Sequence, residues 1–91
     1  MKAPITAPPT ARQLEVLRAI ADRTVADGYA PTLRELGRRI GVRSTNGVND
    51  LLVALERRGL ITRDRNRART LLITEAGRQR IAVLSTLAGA P

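Results

Sequence analysis

The sequence predicts a mainly α fold with one small β-hairpin. Three observations carry that prediction. Apolar residues recur at helical spacing in four separate stretches, three of them opened by a capping threonine and one by Ser44. The second and third stretches are joined by only a few residues containing Gly41, the spacing of a helix-turn-helix. After Gly59 the period changes, and two short strand-like segments flank a polar, arginine-rich tip.

The first helix starts at Thr10, with Gln13 completing a capping box. Its expected buried stripe is Leu14, Leu17, Ala21 and Val25, flanked by Val16 and Ile20, and Asp27-Gly28 ends it. Residues 1–9 are rich in Ala and Pro and read as a flexible tail. Tyr29-Ala30-Pro31 is an extended connector, because the residue before proline avoids the helical region. Thr32 and Glu35 form a second capping box; Leu33, Leu36 and Ile40 are the buried side of the helix it opens. Gly37 and Gly41 are small enough for close helix packing, and Gly41 stops the helix.

Residues 43–59 are the stretch that the rest serves. Ser44 caps a helix whose stripe is Val48, Leu51, Leu52 and Leu55, and Gly59 is its left-handed stop. The outward face near its start carries Thr45, Asn46, Asn49 and Asp50. Short hydrogen-bonding side chains on that turn suit a helix that enters a DNA groove. Asparagine can pair with the N6 and N7 edge of adenine, and aspartate can accept from cytosine N4. An ordinary surface helix with a polar first turn is the plainer alternative.

Segments 60–63 and 70–73 read as strands, and residues 64–69 as a hairpin tip holding Arg65, Arg67 and Arg69. Such a tip could displace about three counterions from a DNA backbone. Thr74 caps a last helix with Glu75 in its first turn, and Ile81, Leu84 and Leu87 mark its apolar side. Gly77 is expected to weaken that helix modestly. The division is therefore a tail over 1–9, a DNA-binding unit over 10–74, and a C-terminal helix with a frayed end over 75–91.

Composition narrows the function. The 91 residues carry 16 basic and 8 acidic side chains, a net charge of +8, and fifteen of the sixteen basic ones are Arg. Guanidinium groups bind phosphate in a two-pronged planar geometry, so a phosphate-rich partner is expected. With neither His nor Cys, the usual general base and the usual metal ligands are missing, and neither an enzyme nor a metal or other cofactor is expected. A membrane partner is not expected, since the arginines are spread over several elements without interfacial aromatics. One Tyr, no Phe and no Trp also argue against single-strand binding by base stacking. No signal core is visible, so a cytoplasmic, nucleoid-associated protein is expected. No small-molecule ligand suggests itself.

On pattern, three helices followed by a basic hairpin make a winged helix-turn-helix, with a three-helix core, a two-stranded wing and an extra C-terminal helix. The residues go further. Thr10-Ala11-Arg12-Gln13-Leu14-Glu15-Val16-Leu17 and Gly28-Tyr29-Ala30-Pro31-Thr32-Leu33-Arg34-Glu35-Leu36-Gly37 resemble the N-terminal DNA-binding domain of the LexA repressors, and residues 43–59 resemble its reading helix. The resemblance covers about residues 10–76. It implies a transcriptional repressor, of the kind serving an SOS response, that reads a palindromic double-stranded operator through the major groove. It places base reading at Ser44, Asn46, Gly47, Asn49 and Asp50. Backbone contacts would come from Thr32, Arg34, Arg43 and Thr45, and from the wing over 63–70, with Arg63, Arg65, Arg67 and Arg69. Full repressors of this kind continue into a self-cleaving peptidase domain that uses a Ser and Lys pair and holds the dimer. The only lysine here is Lys2, so self-cleavage is not expected of this chain. Leu87-Ala88-Gly89-Ala90-Pro91 is similar to the Ala-Gly cleavage segment, though a chance Ala/Gly tail is the plainer reading. With no dimer domain in hand, Ile81, Leu84 and Leu87 are the expected homodimer contact, the alternative being that this helix folds back onto the first. Two other functions stay open: a winged helix used as a protein-interaction module, and an anti-repressor that pairs with a full-length relative.

Overall fold

The computed structural model describes residues 9–64 and 66–87, with side chains through residue 82. Helix α1 spans Ala11–Asp27, α2 Leu33–Ile40, α3 Thr45–Arg57 and α4 Glu75–Leu87; strands β1, Ile61–Thr62, and β2, Leu72–Ile73, pair antiparallel with Ile61 opposite Ile73. The ends of the helices follow local chemistry. Both capping boxes form: Thr10 and Thr32 accept from the backbone of Gln13 and Glu35, whose side chains accept in return from the cap backbones. Ser44 caps α3 by accepting from Gly47 N at 3.3 Å. Helix α3 closes in a Schellman arrangement: Gly59 is left-handed at φ 73, Leu60 N donates to Leu55 O, and Gly59 N to Glu56 O.

The core is aliphatic and contiguous. Val16, Leu17 and Ile20 of α1, Leu36 and Ile40 of α2, Val48, Leu52 and Leu55 of α3, and Leu60, Ile61 and Leu71 beside the strands are buried together. Leu33, Leu51 and Ile73 pack against them. The expected stripe of α1 therefore shifts. Val25 is 85 % exposed, and the inward face runs through Val16, Leu17, Ala19 and Ile20. In the last turn Val25 and Ala26 are exposed, while Thr24 and Asp27 are half-buried. Gly37 does permit a close approach: a Cβ there would stand 2.6 Å from Val42 O. Gly41 does not; its surroundings are open, and its φ of 77 makes it a left-handed stop only.

Helix α4 packs against α1 and β2. Ile81, expected as a dimer contact, is partly buried against the domain's own core. The side chains of Leu84 and Leu87 lie outside the described residues, as do residues 1–8 of the expected tail and the 88–91 end.

The wing strands are two residues long where four were expected. Two side-chain bonds and one backbone turn bond take over from the ladder. Asp64 N donates to Thr70 Oγ1 at 2.8 Å, Asn66 N to Asp64 Oδ1 at 2.9 Å, and Arg67 N to Asp64 O at 3.1 Å. A turn braced in this way leaves few backbone groups for strand pairing.

Candidate nucleic-acid interface

Turn 41–44 sets α3 against α2 so that the first turn of α3 faces outward beside the start of α2. Ser44, Thr45, Asn46 and Asp50 are exposed, while Gly47 and Asn49 are half-buried. A groove of about 720 Å³ runs along this junction, lined by Arg34, Arg38 and Arg43 together with Leu33, Val42 and Thr45. All three arginines are exposed. The N-termini of α2 and α3 add the partial positive charge of their free N–H groups. Of the residues expected here, Thr32 is engaged as a cap, its hydroxyl accepting from Glu35 N and its backbone and side chain helping to hold the Glu35 carboxyl down.

A second cleft, of about 400 Å³, separates the wing from the two helices. Arg34, Thr45, Arg63, Arg67 and Arg69 are among its lining residues. The wing arginines have different fates. Arg67 is exposed at the tip, and Arg65 lies outside the described residues. Arg69 is spent on the wing's own attachment. Its guanidinium donates to both Glu35 carboxylate oxygens at 3.0 and 3.2 Å, to Ala30 O at 3.1 Å, and lies 4.4 Å from the centre of the Tyr29 ring. Backbone donation from Thr32, followed by the Arg69 bonds, pulls the Glu35 carboxyl down to about 2. Its partner Arg69 is pushed up in turn. Arg63 is only 8 % exposed and is paired with Glu56 at 2.9 Å. Both expected phosphate contacts are thus already paired within the domain, Arg63 with Glu56 and Arg69 with Glu35.

Strand alternation offers a signal for Arg63 alone, which follows buried Ile61 by two. Arg69 stands in the wing turn with a left-handed φ of 61, where alternation does not apply. Their carboxylate partners lie 7 and 34 residues away in sequence. No spacing rule links pairs that distant.

Among the described residues no cluster of His, Cys, Asp or Glu could hold a metal ion, and no helix is long and apolar enough to cross a membrane. The model of the LexA DNA-binding domain matches residues 6–70.

The chain belongs to the LexA DNA-binding domain family.

The LexA match begins ahead of Thr10 and takes in both capping boxes, the helix-turn-helix and the wing tip. Relatives agree. The chain is similar to the LexA repressor of Anaeromyxobacter dehalogenans, 54% identical over 70 residues, covering 77% of this chain and 31% of that protein. It is 46% identical over 69 residues to the LexA repressor of Myxococcus xanthus, covering 76% and 31%. It is 40% identical over 75 residues to that of Enterococcus faecalis, covering 82% and 36%. The chain spans about a third of the length of the curated relatives it matches. Membership in a LexA DNA-binding family points to a binding rather than a catalytic role.

Proposed function

We propose that the chain is a transcriptional repressor's DNA-reading unit, recognising a palindromic double-stranded operator. One observation carries this: the exposed polar first turn of α3 lies between exposed Arg34, Arg38 and Arg43 on one side and the wing on the other. That arrangement suits a helix seated in the major groove, with cations over the flanking phosphates. Ser44, Asn46, Gly47, Asn49 and Asp50 would face the bases. Arg34, Arg43, Thr45 and Arg67 would face the backbone. Each domain reads a half-site, so a palindrome seats two copies about one turn of DNA apart. Pairing of the two copies through Ile81, Leu84 and Leu87 of α4 is part of the same proposal. The LexA relatives, repressors by name, support the regulatory part.

The test is a titration of purified chain against random and selected duplex DNA at several salt concentrations. Each phosphate neutralised should contribute about −0.9 to the log–log slope. Sites recovered from a random library should contain a half-site repeated as an inverted pair. A flat salt response, or a library that returns no preferred site, would refute sequence-specific DNA binding and favour a protein-interaction module.

A further inference from the structure

We propose that Arg63 is a positioning residue for base reading, one that fixes the Asn49 carboxamide so that it presents a hydrogen-bond donor to the DNA. This rests on the proposal that α3 reads bases. Arg63 leaves the end of β1 on the side that faces the domain and lies along α3. Its Nε donates to Glu56 Oε1 at 2.9 Å, and its NH2 nitrogen donates to Asn49 Oδ1 at 2.7 Å. Asn49 and Glu56 stand seven residues apart on α3, hence on one face two turns apart. A single guanidinium therefore ties the C-terminal half of α3 to its reading turn.

The chemistry of the donor settles the amide's orientation. Arginine has five N–H donors and no acceptor, so the atom facing it must be the carboxamide oxygen. The planar carboxamide then turns its NH2 group away from Arg63. A two-pronged contact with adenine needs both atoms at once, the oxygen accepting from N6 and the nitrogen donating to N7. In Asn49 the oxygen is engaged by a charged donor at a short distance. The oxygen keeps a second lone pair, but the planar amide holds it on the Arg63 side, so the group turned outward is the NH2 with its two donors. It suits a base edge offering acceptors alone: guanine through N7 and O6, or thymine through O4. Asn49 is thus set apart from Asn46 and Asp50, which are exposed. Arg63, being 8 % exposed and ion-paired, contributes to sequence choice without contributing to counterion release.

Selection from a random duplex library, with salt titration on random DNA, tests this using wild type, Arg63→Met and Asn49→Asp. The wild type should prefer guanine or thymine at one position of each half-site. Arg63→Met should lose that preference by roughly three- to tenfold, the net worth of one hydrogen bond, while its salt slope stays that of the wild type. Asn49→Asp retains the contact to Arg63 but turns an acceptor outward, so the preference should move to cytosine or adenine, whose exocyclic amines donate. If Arg63→Met proves unfolded by melting, Asn49→Asp decides alone. A selection profile unaltered by Arg63→Met, with a salt slope shallower by about one, would overturn the proposal and make Arg63 a phosphate contact. An Asn49→Asp profile that does not move would overturn it as well. Both results leave the wild type's site preference intact, whereas a wild type with no preference at all would refute base reading itself.

Discussion

Gly77→Ala separates what a helix wants from what a packed helix tolerates. In an isolated helix the substitution would be favourable by about 0.8–1 kcal/mol, since glycine is the poorer helix former. The packing at this site reverses the sign. Gly77 is buried in the first turn of α4, and a Cβ there would run into the backbone carbonyl of Leu60 and stand 2.7 Å from Ile73 Cγ2. The Leu60 carbonyl cannot swing away, because Thr74 N donates to it at 3.0 Å. The same turn is held by Thr74 Oγ1 donating to Gly59 O at 2.6 Å and accepting from Gly77 N at 3.1 Å. Helix α4 must therefore lift from residues 59–60 and strain its own cap. Overpacking of this kind costs about 1–3 kcal/mol, and a loosened cap bond adds about 1 kcal/mol. Against the propensity gain, the net loss is about 1–3 kcal/mol. In a domain of this size that lowers Tm by roughly 5–15 °C. Thermal melts and urea titrations followed by circular dichroism measure it directly. A Tm at or above the wild-type value would mean that α4 does not rest on Leu60 and that the contact described here is wrong.

Two further outcomes follow from the same packing. Leu52→Ala empties a fully buried position at the centre of the core and should cost about 2–5 kcal/mol, a large part of the ~5–15 kcal/mol typical of a domain; near-wild-type melting would place the wrong face of α3 inside. Glu35 sits at about 2, below its ordinary value of 4.5, so its contribution is fully present above pH 4.5 and is lost as pH falls from there through 2. Acid titrations of wild type and Glu35→Gln should therefore differ in steepness between about pH 4.5 and 2, with the variant losing less there; superimposable curves would show that Glu35 does not hold the wing through Arg69.

The secondary structure was legible because its signals are local. Thr10 with Gln13, Thr32 with Glu35, and Ser44 before α3 are caps whose partners lie within one turn, so the chain announces its helix starts in sequence. Gly28, Gly41 and Gly59 mark the ends because only glycine enters the left-handed region at no steric cost. The stripe of α3 fixes its buried face, and a polar first turn in a strongly basic chain points to DNA from sequence alone.

What the sequence did not carry were the roles of individual charges, of Gly77 and of Ile81. Fifteen arginines look alike in a composition. Only the folded chain distinguishes Arg67, exposed at the wing tip, from Arg69, clamped on Glu35, and from Arg63, drawn against Glu56 and Asn49. Gly77 reads in sequence as a weak point in a helix, yet the approach of the Leu60 carbonyl makes it a requirement. Ile81 reads in sequence only as an apolar position of α4; the folded chain packs it partly against the domain's own core. The reason is the same throughout. Caps, stops and periodicity are settled between residues a few positions apart, where spacing stands in for distance. Ion pairs, close approaches and the choice between intramolecular and intermolecular burial depend on distances that exist only after the helices and the hairpin have been brought together.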